Sequence, residues 1–87
     1  MNRLELLEAA KKAVTEREQI HGRPEDSFQV IADLWSIYLN RGIEARDVAM
    51  MMILLKIGRQ LAADSPNVDN LTDIVGYAAC AAEFVEG

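Results

Sequence analysis

The chain has 87 residues, of which 51% are hydrophobic and 26% are charged, so it can form one small folded domain and is too apolar to be disordered. Fourteen acidic and nine basic residues give a net charge of -5, which argues against binding of duplex nucleic acid, because such binding depends on cations that neutralise phosphates. The single cysteine, Cys80, excludes an intrachain disulfide and a cysteine-based metal cluster.

The first two helices are predicted from a capping pattern and a pair of helix breakers. Asn2 followed by Glu5 has the N-cap and the N3 acid of a capping box, and apolar residues then recur at helical spacing to about residue 18. Residues 19–24 interrupt this pattern because they contain a glycine and a proline, and the proline favours the first turn of a new helix. The second helix is therefore predicted to run from the proline to Gly42.

The third helix is predicted to begin near the acids Glu44 and Asp47 and to continue through an entirely apolar run at residues 48–55. A helix that is apolar all round must be buried all round. Each helix of a four-helix bundle of this size keeps one face in water. The sequence therefore predicts that this helix lies at a subunit interface, in a homodimer or a higher homo-oligomer.

The fourth helix is predicted from about residue 69 to residue 86, after a turn of helix-breaking residues at 64–67, and Asp69 or a neighbour is predicted to cap it. Gly76 and the alanines that follow it are small, so they allow close approach of another helix, within the chain or across a two-fold axis. The whole chain, residues 1–87, is thus predicted to be one all-α domain of four helices.

Two observations bear on location. The N-terminal residues are charged and amphipathic rather than a signal peptide. The apolar run at residues 48–55 is far shorter than the roughly 20 residues that a membrane span requires. The sequence therefore predicts a cytoplasmic protein with no membrane partner.

Lys56 and Arg59 are the first candidates for ligand binding. They lie three residues apart on the third helix, so both project from one face just beyond the apolar run. Arg59 could bind a phosphate or carboxylate bidentately, and Lys56 could act as a point charge. The alternative is that both cations complement the negative C-terminal end of the helix and extend to water.

Three polar residues of the fourth helix, Asn70, Asp73 and Tyr77, are spaced by three and four and form one stripe. A carboxylate in such a stripe could coordinate Mg²⁺, or it could pair with Arg59 or Lys56 across the helix interface. His21, the one histidine, falls in the predicted loop before the second helix, where it could contact an anion or serve only as hydrogen-bonded structure. No nucleophile–base pair, glycine-rich phosphate loop or HExxH motif is present.

Three segments, residues 21–28, 47–56 and 69–79, together resemble a small phage and prophage domain of unknown function, and this resemblance covers nearly the whole chain. More distantly they resemble the MazG-like all-α nucleoside triphosphate pyrophosphatases. That second resemblance implies a helical dimer or tetramer in which an ExxE and an ExxD motif hold Mg²⁺. Asn70 to Asp73 stands in place of ExxD, and Lys56 to Arg59 stands in place of ExxE, so one carboxylate, one amide and two cations replace four acids.

Such a set would repel Mg²⁺ but could contact phosphate oxygens directly. The resemblance therefore implies a phage-type, MazG-like helical oligomer that binds a nucleotide or another phosphate-bearing ligand, with degenerate or lost pyrophosphatase activity. Lys56 and Arg59 would contact phosphate, and Asp73 would orient them or the ligand. His21 and Tyr77 would lie at the rim, and Asn70 would also belong to the binding site. No metal site is predicted.

Two alternatives stay open, and with them the question of whether the protein is an enzyme. The first is an active Mg²⁺-dependent nucleoside triphosphate pyrophosphatase whose metal-binding acids lie elsewhere, with Glu25, Asp33 or Asp47 brought near Asp73; Mg²⁺ would be a cofactor only in this case. The second is a phage accessory protein that binds a host protein through an acidic helical face, in the host cytoplasm.

Overall fold

The computed structural model describes residues 1–85 and consists of helices joined by short connections. The elements are α1 (Arg3–His21), α2 (Pro24–Leu39), α3 (Ala45–Ala62), α4 (Val68–Ala81) and a short 3-10 turn (Ala82–Phe84). No strand occurs in this part of the chain, so the prediction of an all-α fold with four helices is confirmed. None of these helices is long and apolar enough to cross a membrane.

The predicted capping box at the start of α1 is confirmed. Asn2 Oδ1 accepts a hydrogen bond from the Glu5 N–H at 2.9 Å, and Glu5 Oε1 accepts one from the Asn2 N–H at 3.1 Å. At its other end α1 runs three residues further than predicted, because the residues that stop it are Gly22, whose φ is 83°, and the proline beyond it. His21 therefore belongs to the last turn of α1, and the prediction that it lies in a loop is wrong.

The connection from α2 to α3 begins earlier than predicted. α2 ends at Leu39 because Asn40 adopts the left-handed conformation, with φ 52° and ψ 46°, which asparagine tolerates better than most residues. The Ser36 hydroxyl donates to the Ala32 carbonyl at 2.7 Å and accepts from the Ile43 N–H at 2.8 Å. This pair of hydrogen bonds fixes the start of α3 against the end of α2.

The start of α4 depends on Asn67 rather than on Asp69, since the Asn67 side chain accepts a hydrogen bond from the Asn70 N–H at 3.2 Å. α4 ends at Ala81 and gives way to the 3-10 turn, so the predicted continuous helix is too long. Its predicted end at residue 86 lies outside the described residues.

α4 is the central helix. It packs against α3 on one side and α1 on another, while α2 packs on α3 and touches the 3-10 turn. Gly76 is buried where α4 meets α1, and a Cβ atom there would lie 3.5 Å from Val14 Cγ2. Of the two arrangements that the small residues of α4 allowed, close packing within the chain is therefore present. α1 and α2 lack an extended contact within residues 1–85, and a cleft opens between them.

The core of the single chain is small. Its buried apolar side chains are mostly alanines: Ala10, Ala32, Ala45, Val48 and Ala49. In the apolar run of α3, Met50 is 51% exposed and Leu54 is 65% exposed. The chain alone therefore does not provide the all-round burial that this segment needs, and the predicted subunit interface stays a prediction.

Candidate functional site

Lys56 and Asp73 form an ion pair between α3 and α4. Lys56 Nζ lies 2.8 Å from Asp73 Oδ2, and the two side chains are only 11% and 19% exposed. The predicted alternative in which Asp73 pairs across the helix interface is therefore the arrangement found. Since each charge neutralises the other in a shielded position, this pair belongs to the packing of α3 on α4.

Arg59 and Asn70, the neighbours predicted to act with this pair, are not part of it. Arg59 is exposed on α3, and no ion pair involves it within residues 1–85. The Asn70 side chain donates to Gln60 Oε1 at 3.4 Å, and the same oxygen accepts from the Asn67 N–H at 3.0 Å. Gln60 and Asn70 thus stabilise the α3–α4 connection. Lys56 is already paired with Asp73, so binding of an anion by Lys56 and Arg59 together stays a prediction.

The cleft between α1, α2 and α4 has a volume of about 510 Å³. It brings together three of the predicted site residues, which reach it from different helices: His21, Asp73 and Tyr77. The other lining side chains that carry polar or reactive atoms are Arg17, Glu18, Ser27, Thr72 and Cys80. Lys56, Arg59 and Asn70 do not line it. Asp73 is therefore the one residue shared by the ion pair and the cleft.

Aromatic rings form one wall of this cleft. Phe28 of α2 lies 6.2 Å from Tyr77 of α4 between ring centroids, at an interplanar angle of 35°, and 6.3 Å from Phe84 of the 3-10 turn. The Arg17 guanidinium stands 5.9 Å from the centre of the Tyr77 ring, within the range of a cation–π contact. A planar aromatic ligand would meet both an apolar ring surface and a positive charge here.

Arg17 and His21 are spaced by four on α1, which places both on the face that borders the cleft. Burial raises the pKa of the Cys80 thiol, and the nearby carboxylate of Glu83 raises it further. Cys80 therefore stays a neutral thiol to higher pH than an exposed cysteine, and it contributes an uncharged surface to the cleft.

The acids of the pyrophosphatase alternative have other partners. Glu25 pairs with Arg23, and this contact raises the pKa of the arginine. Asp33 Oδ1 accepts a hydrogen bond from Gln29 Nε2 at 2.9 Å, and Asp47 Oδ2 accepts one from the Glu44 N–H at 2.9 Å. Within residues 1–85 no three His, Cys, Asp or Glu side chains are grouped so that they could hold a metal ion.

The site residues predicted from the sequence do not include Arg17, Phe28 or Cys80. The spacing of Arg17 and His21 was a usable signal, but it depended on α1 reaching residue 21. Phe28 lies on the apolar face of α2, and the sequence does not show that this face continues from the core into a cleft. The lack of an extended α1–α2 contact, which leaves the cleft open, is not visible in the local sequence pattern.

Comparison with known proteins places the chain among phage proteins. Residues 5–85 match the family model described as a domain of unknown function, DUF6378. The chain is 39% identical over 82 residues to the Gene 55 protein of Mycobacterium phage D29, covering 93% of this chain and 54% of that protein. It is 38% identical over 78 residues to the Gene 55 protein of Mycobacterium phage L5, covering 86% and 49%.

The chain thus spans about half the length of these curated relatives. No solved structure is significantly similar to it. The resemblance to a small phage domain of unknown function is confirmed, whereas the more distant MazG-like resemblance stays a prediction. Because the family model covers nearly the whole chain, the protein belongs to the DUF6378 family.

Proposed function

We propose that this protein binds a nucleotide or a similar aromatic, phosphate-bearing molecule in the cleft between α1, α2 and α4. The observation that supports this proposal is an opening of about 510 Å³ in which Arg17 and His21 stand beside the Phe28–Tyr77 aromatic pair. Small-molecule sites typically have volumes of about 300–1,000 Å³, with mainly apolar walls and a few polar groups that fix orientation.

In this proposal the base stacks against Tyr77 and Phe28, and the phosphate lies toward Arg17 and His21. Arginine suits a phosphate because its planar guanidinium can donate two parallel hydrogen bonds. The Asp73 carboxylate and the Thr72 and Ser27 hydroxyls supply acceptors and donors for the sugar or the base edge.

The phosphate contacts of the proposal thus differ from those predicted from the sequence. Lys56 has its charge neutralised by Asp73 at 2.8 Å, and Arg59 is exposed away from the cleft. Lys56 instead holds Asp73 in position at the edge of the cleft. The proposed role of Asp73 as an orienting residue is kept, with Lys56 behind it.

The partners of the acidic residues favour binding of a nucleotide without its hydrolysis. A MazG-like active site needs several free carboxylates, whereas Asp73 is engaged by Lys56 and each of the other acids considered has its own partner. We therefore propose a MazG-like protein whose pyrophosphatase activity is degenerate or lost.

We also propose that the protein is a homo-oligomer. The exposed apolar residues of α3 support this proposal.

Isothermal titration of the purified protein with nucleoside triphosphates, monophosphates and unphosphorylated nucleosides tests the cleft. We expect phosphorylated nucleotides to bind and Arg17→Gln to weaken their binding at least about tenfold, equivalent to about 1.4 kcal/mol. Arg3→Gln removes a charge from the same helix far from the cleft and serves as the matched control. Equal effects of the two variants, or no binding by any nucleotide, would contradict the proposal.

A second assay separates binding from the enzymatic alternative. Release of pyrophosphate from deoxynucleoside triphosphates in the presence of Mg²⁺, lost in Asp73→Asn, would show an active pyrophosphatase instead. In a thermal-shift assay, ligand at 100 times its Kd should add about 2.7 kcal/mol to the free energy of unfolding without any product forming. Capture of a host protein by the nucleotide-free chain, with no nucleotide bound, would support the accessory-protein alternative.

A further inference from the structure

α2 and α3 each carry a stripe of apolar side chains that faces away from the rest of the chain. The α2 stripe consists of Leu34, Ile37 and Tyr38, and the α3 stripe consists of Met50, Leu54, Ile57 and Leu61. The spacing of four, three and four along α3 places its members on one line, as in helices that pack on a partner helix. Leu61 is 83% exposed, so this line is not covered within the chain.

The exposed surface of the whole chain is larger than its size requires. A compact monomer of 9.7 kDa exposes about 5,100 Å² by the usual scaling, whereas this chain exposes 6449 Å². Its radius of gyration is 13.7 Å, against about 12 Å for a compact chain of this length. The excess of about 1,300 Å² exceeds the roughly 800 Å² that each partner buries in a standard interface.

The exposed charges of these two helices are of opposite sign. On α2 they are the acids Asp26 and Asp33, and on α3 they are the bases Arg46 and Arg59, of which Arg46 also pairs with Glu44 at 3.4 Å. In a two-fold symmetric dimer each contact occurs twice: if α2 of one copy contacts α3 of the other, then α3 of the first copy also contacts α2 of the second. Packing α2 of one copy on α3 of the other therefore places unlike charges around both contacts.

We infer that the protein forms a two-fold homodimer in which the α2 stripe of one copy packs on the α3 stripe of the other. This inference rests on the proposed homo-oligomer and names its surface. A second copy suits the surface because the excess area comes from the chain's own small core, in which Val48 is the one large side chain that is fully buried among residues 1–85. α4, whose small residues were predicted to allow close approach within the chain or across a two-fold axis, is packed between α1 and α3 of the same chain.

Light scattering of the intact chain after size exclusion, with Leu54→Glu and Leu4→Glu as a matched pair, tests the surface. Leu54 and Leu4 are 65% and 67% exposed, but Leu4 lies on α1 outside both stripes. We expect a wild-type mass of two chains, a dimer Kd raised at least 100-fold by Leu54→Glu, and no change with Leu4→Glu. Circular dichroism checks that the variants keep their helical content.

Mixing two variants tests the α2-to-α3 arrangement. Leu34→Glu and Leu54→Lys should each be monomeric alone, and their mixture should dimerise, because one contact then pairs the new carboxylate with the new ammonium and the other contact is native. No recovery on mixing overturns the arrangement. If a variant does not fold, the wild-type unfolding temperature, expected to fall on dilution, decides the matter, since a value independent of concentration overturns the dimer.

The remaining outcomes separate this inference from the proposals above. A wild-type monomer overturns both the oligomer and its surface, but it leaves nucleotide binding in the cleft to the titration. A wild-type dimer that survives Leu54→Glu keeps the oligomer and overturns this surface. A mass of three or more chains overturns the two-fold pair.

Discussion

Polar groups on one side of α4 are paired within the fold, whereas those on the other side border an open cleft. Toward α3, Lys56 and Asp73 meet at 2.8 Å between packed helices, and each neutralises the other. Toward the gap between α1 and α2, Arg17, His21 and Tyr77 border an open cleft of about 510 Å³. A charge that is shielded and paired becomes part of the scaffold, whereas a charge beside an opening stays available to a ligand.

Asp73 lies at the boundary between these two sides, because it pairs with Lys56 and also lines the cleft. Asn70, Asp73 and Tyr77 were predicted to form one stripe on α4. In the structure the three residues have separate partners: Gln60, Lys56 and the aromatic cluster. One stripe on a helix can therefore serve packing at one residue and a cleft at the next.

The largest expected effect comes from removing the Lys56–Asp73 ion pair on the side of α4 that packs against α3. Lys56→Met should lower the free energy of unfolding by about 2–3 kcal/mol, because Asp73 would be left shielded and unpaired; the figure is below that for a fully buried pair since both groups keep some exposure. Urea denaturation at fixed protein concentration measures the loss.

Two further variants complete that test. Arg59→Met removes an exposed cation from the same helix and should change stability by less than about 0.5 kcal/mol. Adding Asp73→Asn to Lys56→Met should recover part of the loss, because the unpaired charge is removed. If Lys56→Met and Arg59→Met lowered the free energy of unfolding equally, the ion pair would contribute nothing to the packing of α3 on α4.

The helices and their order could be predicted from the sequence because their signals are local. The capping box at Asn2, the acids near the start of α3 and the breakers between helices act within a few residues of where they stand. The end of α2 was missed because Asn40, rather than Gly42, takes the left-handed conformation, and both residue types suit that position.

The site was less predictable because it depends on which pairs of helices lack an extended contact. The pairing of Lys56 with Asp73 was one of two alternatives that the spacing allowed, and only the packing of α3 on α4 decides between them. The cleft exists because α4 contacts both α1 and α3 while α1 and α2 lack an extended contact within residues 1–85. A local sequence pattern contains no information about such a gap.

A smaller effect of opposite sign is expected where α1 meets α4, on the side of the cleft. Gly76→Ala should raise the free energy of unfolding by about 0.5–1 kcal/mol, because alanine is the better helix former and its Cβ would lie at an ordinary 3.5 Å from Val14 Cγ2. Gly58→Ala, where nothing lies within 4 Å, is the control for helix propensity alone. Thermal unfolding that shows Gly76→Ala to be destabilising while Gly58→Ala stabilises would mean that α1 and α4 are packed more tightly than 3.5 Å suggests.

The smallest expected effect concerns the pH dependence of Cys80, which lines the cleft and is the one cysteine of the chain. Burial and then Glu83 raise the pKa of its thiol, so the folded protein holds this proton to higher pH than the unfolded chain does. Below the unfolded pKa both states carry the proton and stability is unaffected by this group. As the pH rises past that value, the unfolded chain ionises first, so the folded state loses stability until the folded pKa is also passed.

Iodoacetamide alkylation followed by mass spectrometry should therefore show a reactivity midpoint at higher pH for the native protein than for the protein in urea. A nucleotide bound in the cleft should slow the native reaction further. A native midpoint at or below that of the unfolded chain would show that the cleft does not shield Cys80 from water, and slowing by nucleotide in Arg3→Gln but not in Arg17→Gln would connect the protection to the charged side of the cleft.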